Sequence, residues 1–179
     1  MSSDRKVISY IAASLDGYIA GKNDDLGFLS IAEQEGQDYG YKEFMQTVDT
    51  IIIGRKTHDK VISMGFPYPG PDSDLDVYVI THQERPAEGR VTYYTGDLTA
   101  LINELKSKPG KNIFCDGGAE IVNLLLRQKQ IDEVVISVIP ILLGDGIRLF
   151  KDGRPEQKLV LQSSTTFEKG LVQLHYIVA

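Results

Sequence analysis

Short apolar runs rich in β-branched residues alternate with helical patterns along most of the chain, and two long β-rich runs follow each other at its end. The early runs are apolar at nearly every position, which is typical of strands covered on both faces. The two final runs are separated by three residues and have the pattern of an antiparallel hairpin. This order predicts an α/β fold with helices on both faces of a mostly parallel sheet. The predicted strands are residues 6–13, 51–53, 77–81, 91–95, 112–115, 134–139, 158–167 and 171–178.

Helices are predicted between most of these strands. Ser30 and Glu33 have the spacing of a capping box, which predicts a helix beginning at residue 30. Apolar residues at helical spacing continue this helix past two glycines; they are Tyr41, Phe44, Met45 and Val48. Further helices are predicted after Gly54 and over residues 98–105 and 119–128. Residues 65–76 contain three of the seven prolines and are predicted to be a loop, and residues 140–150 are rich in turn-forming residues.

Length and composition limit the class of protein. A chain of 179 residues predicts a single domain over residues 1–179. Its formal net charge of −6 argues against nucleic acid or an anionic membrane as the main partner, although a local basic cluster could hold a small anionic cofactor. One cysteine and three scattered histidines argue against disulfides and a zinc site, so no metal is expected. With no membrane-spanning run in the sequence, we expect a cytoplasmic protein.

Two strand-to-helix junctions carry the main chemical signal. Gly54-Arg55-Lys56-Thr57 follows one predicted strand, and Gly117-Gly118-Ala119-Glu120 follows another. Glycine allows a ligand to approach the backbone, and the start of a helix offers free N–H donors to an anion. Each junction alone is more typical of a tight connection than of a phosphate site. Together, at the carboxyl ends of parallel strands, they predict a ligand with phosphates at two points, and Thr81-His82 ends a third strand at the same edge.

Asp38 is the candidate proton donor. In a continuous helix it shares a face with Tyr41, Met45 and Val48. Partial burial on that face would raise the pKa of its carboxyl group, which suits a proton donor near neutral pH. The alternative is that Gly36 and Gly40 break the helix and leave Asp38 in solvent.

The order of these motifs resembles the dihydrofolate reductase superfamily, and within it the reductase domain of bifunctional riboflavin-biosynthesis deaminase-reductases. The resemblance runs from residue 8 to the C-terminus. It implies a three-layer α/β/α architecture, with a mixed sheet of about eight strands that binds NADPH at its carboxyl edge. The matching segments are residues 11–20, 53–57, 79–81, 115–120 and 140–146, followed by Leu149 and Phe150.

The resemblance also implies roles for individual residues. The adenosine-side phosphates would be held by Gly54, Arg55, Lys56 and Thr57. The 2′-phosphate of NADPH would lie near Thr81 and His82. The pyrophosphate would face Gly117, Gly118, Ala119 and Glu120, and the nicotinamide would border Ala13, Ile19 and Gly21. Asp38 would be the catalytic acid. Candidate substrate-binding residues are Ser14, Asp16, Tyr41 and Arg148; for Asp16 a turn role, and for Arg148 a surface position, are the alternatives.

The function implied is that of an NADPH-dependent reductase. It would transfer a hydride to a C=N or C=O group of a small heterocyclic or sugar-derived substrate, similar to 5-amino-6-(5-phosphoribosylamino)uracil reductase. The chain lacks tryptophan, and no Arg or Lys lies between Gly65 and Thr81, which disfavours folate as substrate. A dihydrofolate reductase with an atypical folate site and a non-catalytic NADPH-binding protein are the alternatives. The apolar C-terminal strands and the resemblance favour a homodimer.

Overall fold

The first apolar run becomes a central strand of an eight-stranded sheet. We describe residues 4–179 of a computed structural model. The strands within these residues are β1 (Val7–Ser14), β2 (Tyr18–Ala20), β3 (Val48–Gly54), β4 (Asp76–Ile80), β5 (Val91–Tyr94), β6 (Asn112–Gly117), β7 (Glu133–Ile139), β8 (Ile147–Arg148), β9 (Leu159–Thr166) and β10 (Val172–Val178). The order of strands in the large sheet is β5-β4-β3-β6-β1-β7-β10-β9. The six strands from β5 to β7 are parallel to one another, and the C-terminal hairpin adds the two antiparallel strands β10 and β9.

Four α-helices cover the two faces of this sheet. They are α1 (Tyr41–Gln46), α2 (Arg55–Ser63), α3 (Leu98–Ser107) and α4 (Ala119–Arg127). Ile102 of α3 and Leu125 of α4 pack with Ile52 on one face, whereas Phe44 of α1 packs with Ile51 and Ile53 on the other. Residues adjacent along β3 are therefore buried on opposite faces, which explains its unbroken apolar run. The predicted three-layer architecture is confirmed.

The predicted helix beginning at Ser30 is wrong. Residues Gly27–Ala32 form a 3₁₀ helix, the following segment is irregular, and α1 starts only at Tyr41. Gly36 and Gly40 have φ of +75° and +82°, a left-handed conformation that interrupts a helix. The Ser30 hydroxyl donates to the Gly27 carbonyl at 2.7 Å, inside the 3₁₀ helix. The last apolar residue of the predicted stripe, Val48, begins β3 instead.

A small second sheet was not predicted. Within the turn-rich segment, β8 pairs with β2 in antiparallel fashion. The pairing depends on Gly146, where φ is +139° and an added Cβ would lie 2.1 Å from the Ala20 carbonyl oxygen. A side chain at this position is therefore incompatible with the observed contact between the two strands.

No helix within residues 4–179 is long and apolar enough to cross a membrane. The same residues contain no group of three or more His, Cys, Asp or Glu side chains that could hold a metal ion.

Candidate active site

The two glycine-containing junctions meet at the carboxyl edge of the sheet. They follow β3 and β6, which are neighbours, with Ile53 opposite Gly117. A Cβ added at Gly54 would lie 3.1 Å from an Ile121 side-chain carbon and 3.6 Å from the Gly118 nitrogen. A Cβ added at Gly118 would lie 2.9 Å from Thr57 Oγ1. The sequence therefore places glycine where the two junctions come into closest contact.

The helices that start at these junctions have no side-chain caps. Gly54 precedes α2 and Gly118 precedes α4, and in neither case does a side chain within residues 4–179 accept a hydrogen bond at the helix start. By contrast, α3 is capped by Asp97, whose carboxylate accepts from the Ala100 N–H at 2.8 Å. The first-turn N–H groups of α2 and α4 are therefore available to an anionic ligand.

We call the two glycine junctions, with the helix starts after Gly54 and Gly118, the cradle. The basic and polar residues implied for cofactor binding flank it. Arg55 is partly exposed and forms an i,i+4 ion pair with Asp59 at 3.0 Å, and Lys56 is exposed. Thr81 is buried at the end of β4, next to β3 in the sheet, and His82 beside it is exposed. The last of the implied residues, Glu120, is exposed in the first turn of α4.

The residues implied for the nicotinamide lie where β1 ends and β2 begins the next segment. Ala13 is buried in β1, Ile19 is partly buried in β2, and Gly21 follows β2. The Gly21 N–H donates to the Asp25 carbonyl at 2.8 Å. This corner adjoins the carboxyl edge because β1 is the neighbour of β6.

Asp16 fastens the turn after β1 to the loop after β7. It accepts from the Ser14 hydroxyl at 2.5 Å and from the N–H groups of Leu143 and Gly144 at 3.1 and 2.7 Å. The bond from Ser14, followed by those from the backbone, lowers the pKa of the Asp16 carboxyl to about 2. The hydrogen bonds of both side chains are thus made within the protein. The Arg148 guanidinium stacks over the ring of Tyr18, 5.0 Å from its centroid. Of the four candidate substrate-binding residues, Ser14, Asp16 and Arg148 do not line the cavity described next.

A cavity of about 750 Å³ lies between β1 and the segment that precedes α1. Of the predicted site residues it contains Asp38 and Tyr41. Its aromatic rings are Tyr10, Tyr39, Tyr41 and Phe114, and its carboxylates are Glu33, Glu35, Asp38 and Asp116. The Tyr10 ring contacts Tyr41 edge-on, with centroids 5.9 Å apart, and Tyr41 contacts Phe114 at 6.3 Å. The cavity therefore combines flat apolar walls with acidic groups.

Asp38 lines this cavity, but the helical-face argument for a raised pKa is wrong. Because the helix starts later than predicted, Asp38 precedes α1 and accepts from the N–H groups of Lys42 and Gly40 at 3.0 and 3.2 Å. These bonds, that of Lys42 foremost, lower the pKa of the Asp38 carboxyl. The carboxylate caps the start of α1.

Asp116 has the property that was predicted for Asp38. It lies in β6 immediately before Gly117, and burial raises the pKa of its carboxyl group to about 6, although a hydrogen bond donated by the Tyr68 hydroxyl acts in the opposite direction. Tyr68 belongs to the proline-rich loop, so this loop contacts Asp116, which lines the cavity. Among the described residues, Asp116 Oδ1 has no hydrogen-bond partner. The sequence analysis used only the glycines of this junction; the signal for Asp116 was a carboxylate at the end of a buried strand.

Comparison with known proteins shows the family to which this chain belongs. The sequence matches the family of RibD C-terminal domains over residues 5–173. It is 42% identical over 179 residues to YwjB of Bacillus subtilis, a protein described as uncharacterized, covering 98% of this chain and 99% of that one. A Shewanella sp. PV-4 structure described as a candidate riboflavin biosynthesis protein superposes with a TM-score of 0.87 at 31% identity, covering 100% and 99% of the two chains.

A more distant structure supports the fold alone. It is the Thermotoga maritima diaminohydroxyphosphoribosylaminopyrimidine deaminase/5-amino-6-(5-phosphoribosylamino)uracil reductase, with a TM-score of 0.66 at 14% identity, matching 98% of this chain and 57% of that one. The sheet and its carboxyl edge define a protein with the dihydrofolate reductase-like fold. Within that class, the chain belongs to the RibD C-terminal domain family, which implies a reductase of the riboflavin-pathway type.

Proposed function

We propose that this protein is an NADPH-dependent reductase that transfers a hydride to the carbon of a C=N or C=O group in a small heterocyclic substrate. The observation that carries the proposal is the adjacency of two features. Two uncapped helix starts with glycine at their closest contact adjoin a cavity that contains a carboxyl group with a raised pKa. Asp116 and Gly117 are consecutive, so the cradle and the cavity meet at this point.

The chain's residues fit a dinucleotide phosphate. The N–H groups at the starts of α2 and α4 would bind its pyrophosphate, and Gly118 leaves room beside Thr57 for the approach. Arg55 and Lys56 add positive charge at the first junction, and Thr81 with His82 would lie toward the 2′-phosphate. The nicotinamide would border Ala13, Ile19 and Gly21.

The protein's part in the reaction is to orient the substrate and to supply a proton. The hydride for the substrate carbon would come from NADPH when it is bound, leaving NADP⁺. Protonated Asp116 would deliver its proton to the substrate nitrogen or oxygen, and solvent would restore it. Tyr68 would hold the carboxyl group in place through its hydrogen bond. The aromatic walls would exclude water and align a flat substrate.

The proposal is tested by mixing the protein with NADPH and a panel of heterocycles that contain C=N or C=O bonds. Loss of the absorbance of reduced nicotinamide should depend on both the protein and one class of heterocycle. Turnover of dihydrofolate would instead favour the folate alternative. NADPH binding without turnover of any panel member would favour a non-catalytic nucleotide-binding protein.

We predict that Gly118→Ala weakens NADPH binding by about tenfold or more, about 1.4 kcal/mol. The added Cβ would lie 2.9 Å from Thr57 Oγ1 and occupy the approach to the α4 start. The measurement is calorimetric titration with NADPH. Gly70→Ala is the matched control, because a Cβ at Gly70 meets no atom within 4 Å. Equal affinities for the two variants would place the pyrophosphate elsewhere.

We also propose that the protein works as a cytoplasmic homodimer joined through its C-terminal hairpin. Strand β9 is the outer strand of the sheet, and Leu159, Val160 and Leu161 are about half exposed on it, at 48%, 50% and 52%. Three consecutive apolar residues on a sheet edge favour pairing with another chain. Sedimentation should give twice the 19.9 kDa mass of the chain.

Leu161→Glu should reduce that mass to one chain, because the charge would be buried in the dimer. Ile62→Glu, at an exposed apolar residue of α2, is the control and should remain dimeric. A wild-type protein that sediments as a single chain would contradict the dimer.

A further inference from the structure

The charge of the cavity restricts the substrates that it can hold. Four carboxylates line it, and in the described part of the chain no lysine, arginine or histidine does so. Two cations lie just outside the lining: Lys42 follows the start of α1, and the Lys169 ammonium donates to the Glu33 carbonyl oxygen. An anionic substrate group inside the cavity would meet carboxylates without a facing cation.

The helix start at the rim of this cavity is already occupied by a carboxylate. Helix α1 is the α-helix that starts at its rim, and the carboxylate of Asp38 already accepts from the N–H groups of Gly40 and Lys42. A phosphate would have to displace this carboxylate. The cavity thus differs from the cradle at α2 and α4, where the N–H groups at the helix starts have no side-chain partner.

The same walls suit a flat group that donates hydrogen bonds. Tyr10 stacks on Phe44 with centroids 4.7 Å apart, so its ring is held in a fixed plane, and Tyr41 and Phe114 complete the aromatic wall. Asp116 lines the cavity; among the described residues its Oδ1 has no hydrogen-bond partner, whereas its Oδ2 accepts from Tyr68. When it is ionised, a carboxylate with one unpartnered oxygen beside aromatic rings can accept a hydrogen bond from an amino or ring N–H group of a planar heterocycle.

We infer that the cavity takes a planar nitrogen heterocycle that is neutral or cationic, bears N–H donors and carries no phosphate. The inference rests on the proposed reductase function and names its substrate class. A substrate of this class differs from the phosphoribosyl compound for which the Thermotoga maritima reductase is named.

Calorimetric titration with two probes tests the inference. 2-Aminobenzimidazole is a planar amidine-type base, and cytidine 5′-monophosphate is a planar heterocycle with a phosphate. We expect 2-aminobenzimidazole to bind at least about tenfold more tightly than cytidine 5′-monophosphate, and Asp116→Asn to weaken its binding by about tenfold. Absence of 2-aminobenzimidazole binding, or tighter binding of the phosphate probe when NADPH saturates the starts of α2 and α4, overturns the inference.

Charge reversal at the rim gives a second test. In the double variant Glu33→Lys/Glu35→Lys, the affinity for cytidine 5′-monophosphate should rise by about tenfold and that for 2-aminobenzimidazole should fall. Glu84→Lys, at an exposed carboxylate outside the cavity, should change neither. Unchanged affinities in the double variant overturn the inference. Each titration is run with and without NADPH, so that absence of NADPH binding, which contradicts the reductase, is seen separately from absence of probe binding.

Discussion

Asp116→Asn should lower the rate of substrate-dependent NADPH oxidation by about 100-fold or more, the typical contribution of a positioned general acid. Asparagine keeps the size of the side chain and can still accept the hydrogen bond from Tyr68, but it has no carboxyl proton to deliver. The measurement is steady-state kinetics with any heterocycle that the wild-type protein reduces. A rate within about threefold of wild type would contradict proton donation by Asp116.

The pH dependence separates this role from a merely structural one. Only the protonated carboxyl can donate, and burial raises its pKa to about 6. The wild-type rate should therefore be level below about pH 6 and fall about tenfold for each pH unit above it. The Asp116→Asn variant should lack this fall.

Asp38→Asn is the matched comparison, because Asp38 lines the same cavity but has a lowered pKa. It should cost less activity than Asp116→Asn and keep the wild-type pH profile. If the fall of the rate above about pH 6 were lost in Asp38→Asn and kept in Asp116→Asn, the proton donor would be Asp38.

The Asp116→Asn substitution should also have a large effect on stability: we expect it to stabilise the fold although it lowers activity. At about pH 8 we expect Asp116→Asn to raise the free energy of unfolding by about 2 kcal/mol, since a shift from 3.8 to about 6 corresponds to about 3 kcal/mol before relaxation. The folded state binds the Asp116 proton more tightly than the unfolded state. Wild-type stability from this group therefore falls as pH rises from about 4 to 6 and stays low above. The measurement is denaturant unfolding at about pH 8 and about pH 4.

Asp16→Asn provides a control with the reverse dependence. Its folded pKa is lowered to about 2, so the ionised group stabilises the fold above about pH 4, and this contribution is lost as pH falls toward 2. Asp16→Asn should therefore be less stable than wild type at neutral pH, with the difference shrinking in acid.

An Asp116→Asn variant that is no more stable than wild type at about pH 8 would contradict a buried, destabilising carboxylate.

The central strands of the sheet could be predicted from the sequence because they are largely buried on both faces. The continuous apolar runs at β1, β3 and β7 predict strands without tertiary information. The two β-rich runs at the end of the chain predict the C-terminal hairpin in the same way. The segment before α1 could not be predicted in the same way. Apolar spacing favours a helix there, but the left-handed backbone at Gly36 and Gly40 decides against it.

The proximity of the two glycine junctions was also predictable from the sequence, since neighbouring parallel strands bring their carboxyl ends together. The raised pKa of the Asp116 carboxyl was not. Helical periodicity placed Asp38 on an apolar face that does not form, and the burial of Asp116 depends on distant elements. Tyr68 reaches it from a loop 48 residues earlier in the chain. Burial of this kind depends on tertiary packing and leaves no periodic pattern in the sequence.

Calorimetric titration with NADPH and, separately, with NADH tests whether the starts of α2 and α4 bind a dinucleotide phosphate. We predict micromolar binding of NADPH with a preference over NADH of about tenfold to a hundredfold, about 1.4 to 3 kcal/mol, which Arg55, Thr81 and His82 would provide. Absence of binding by either nucleotide would contradict the cofactor cradle and, with it, the reductase.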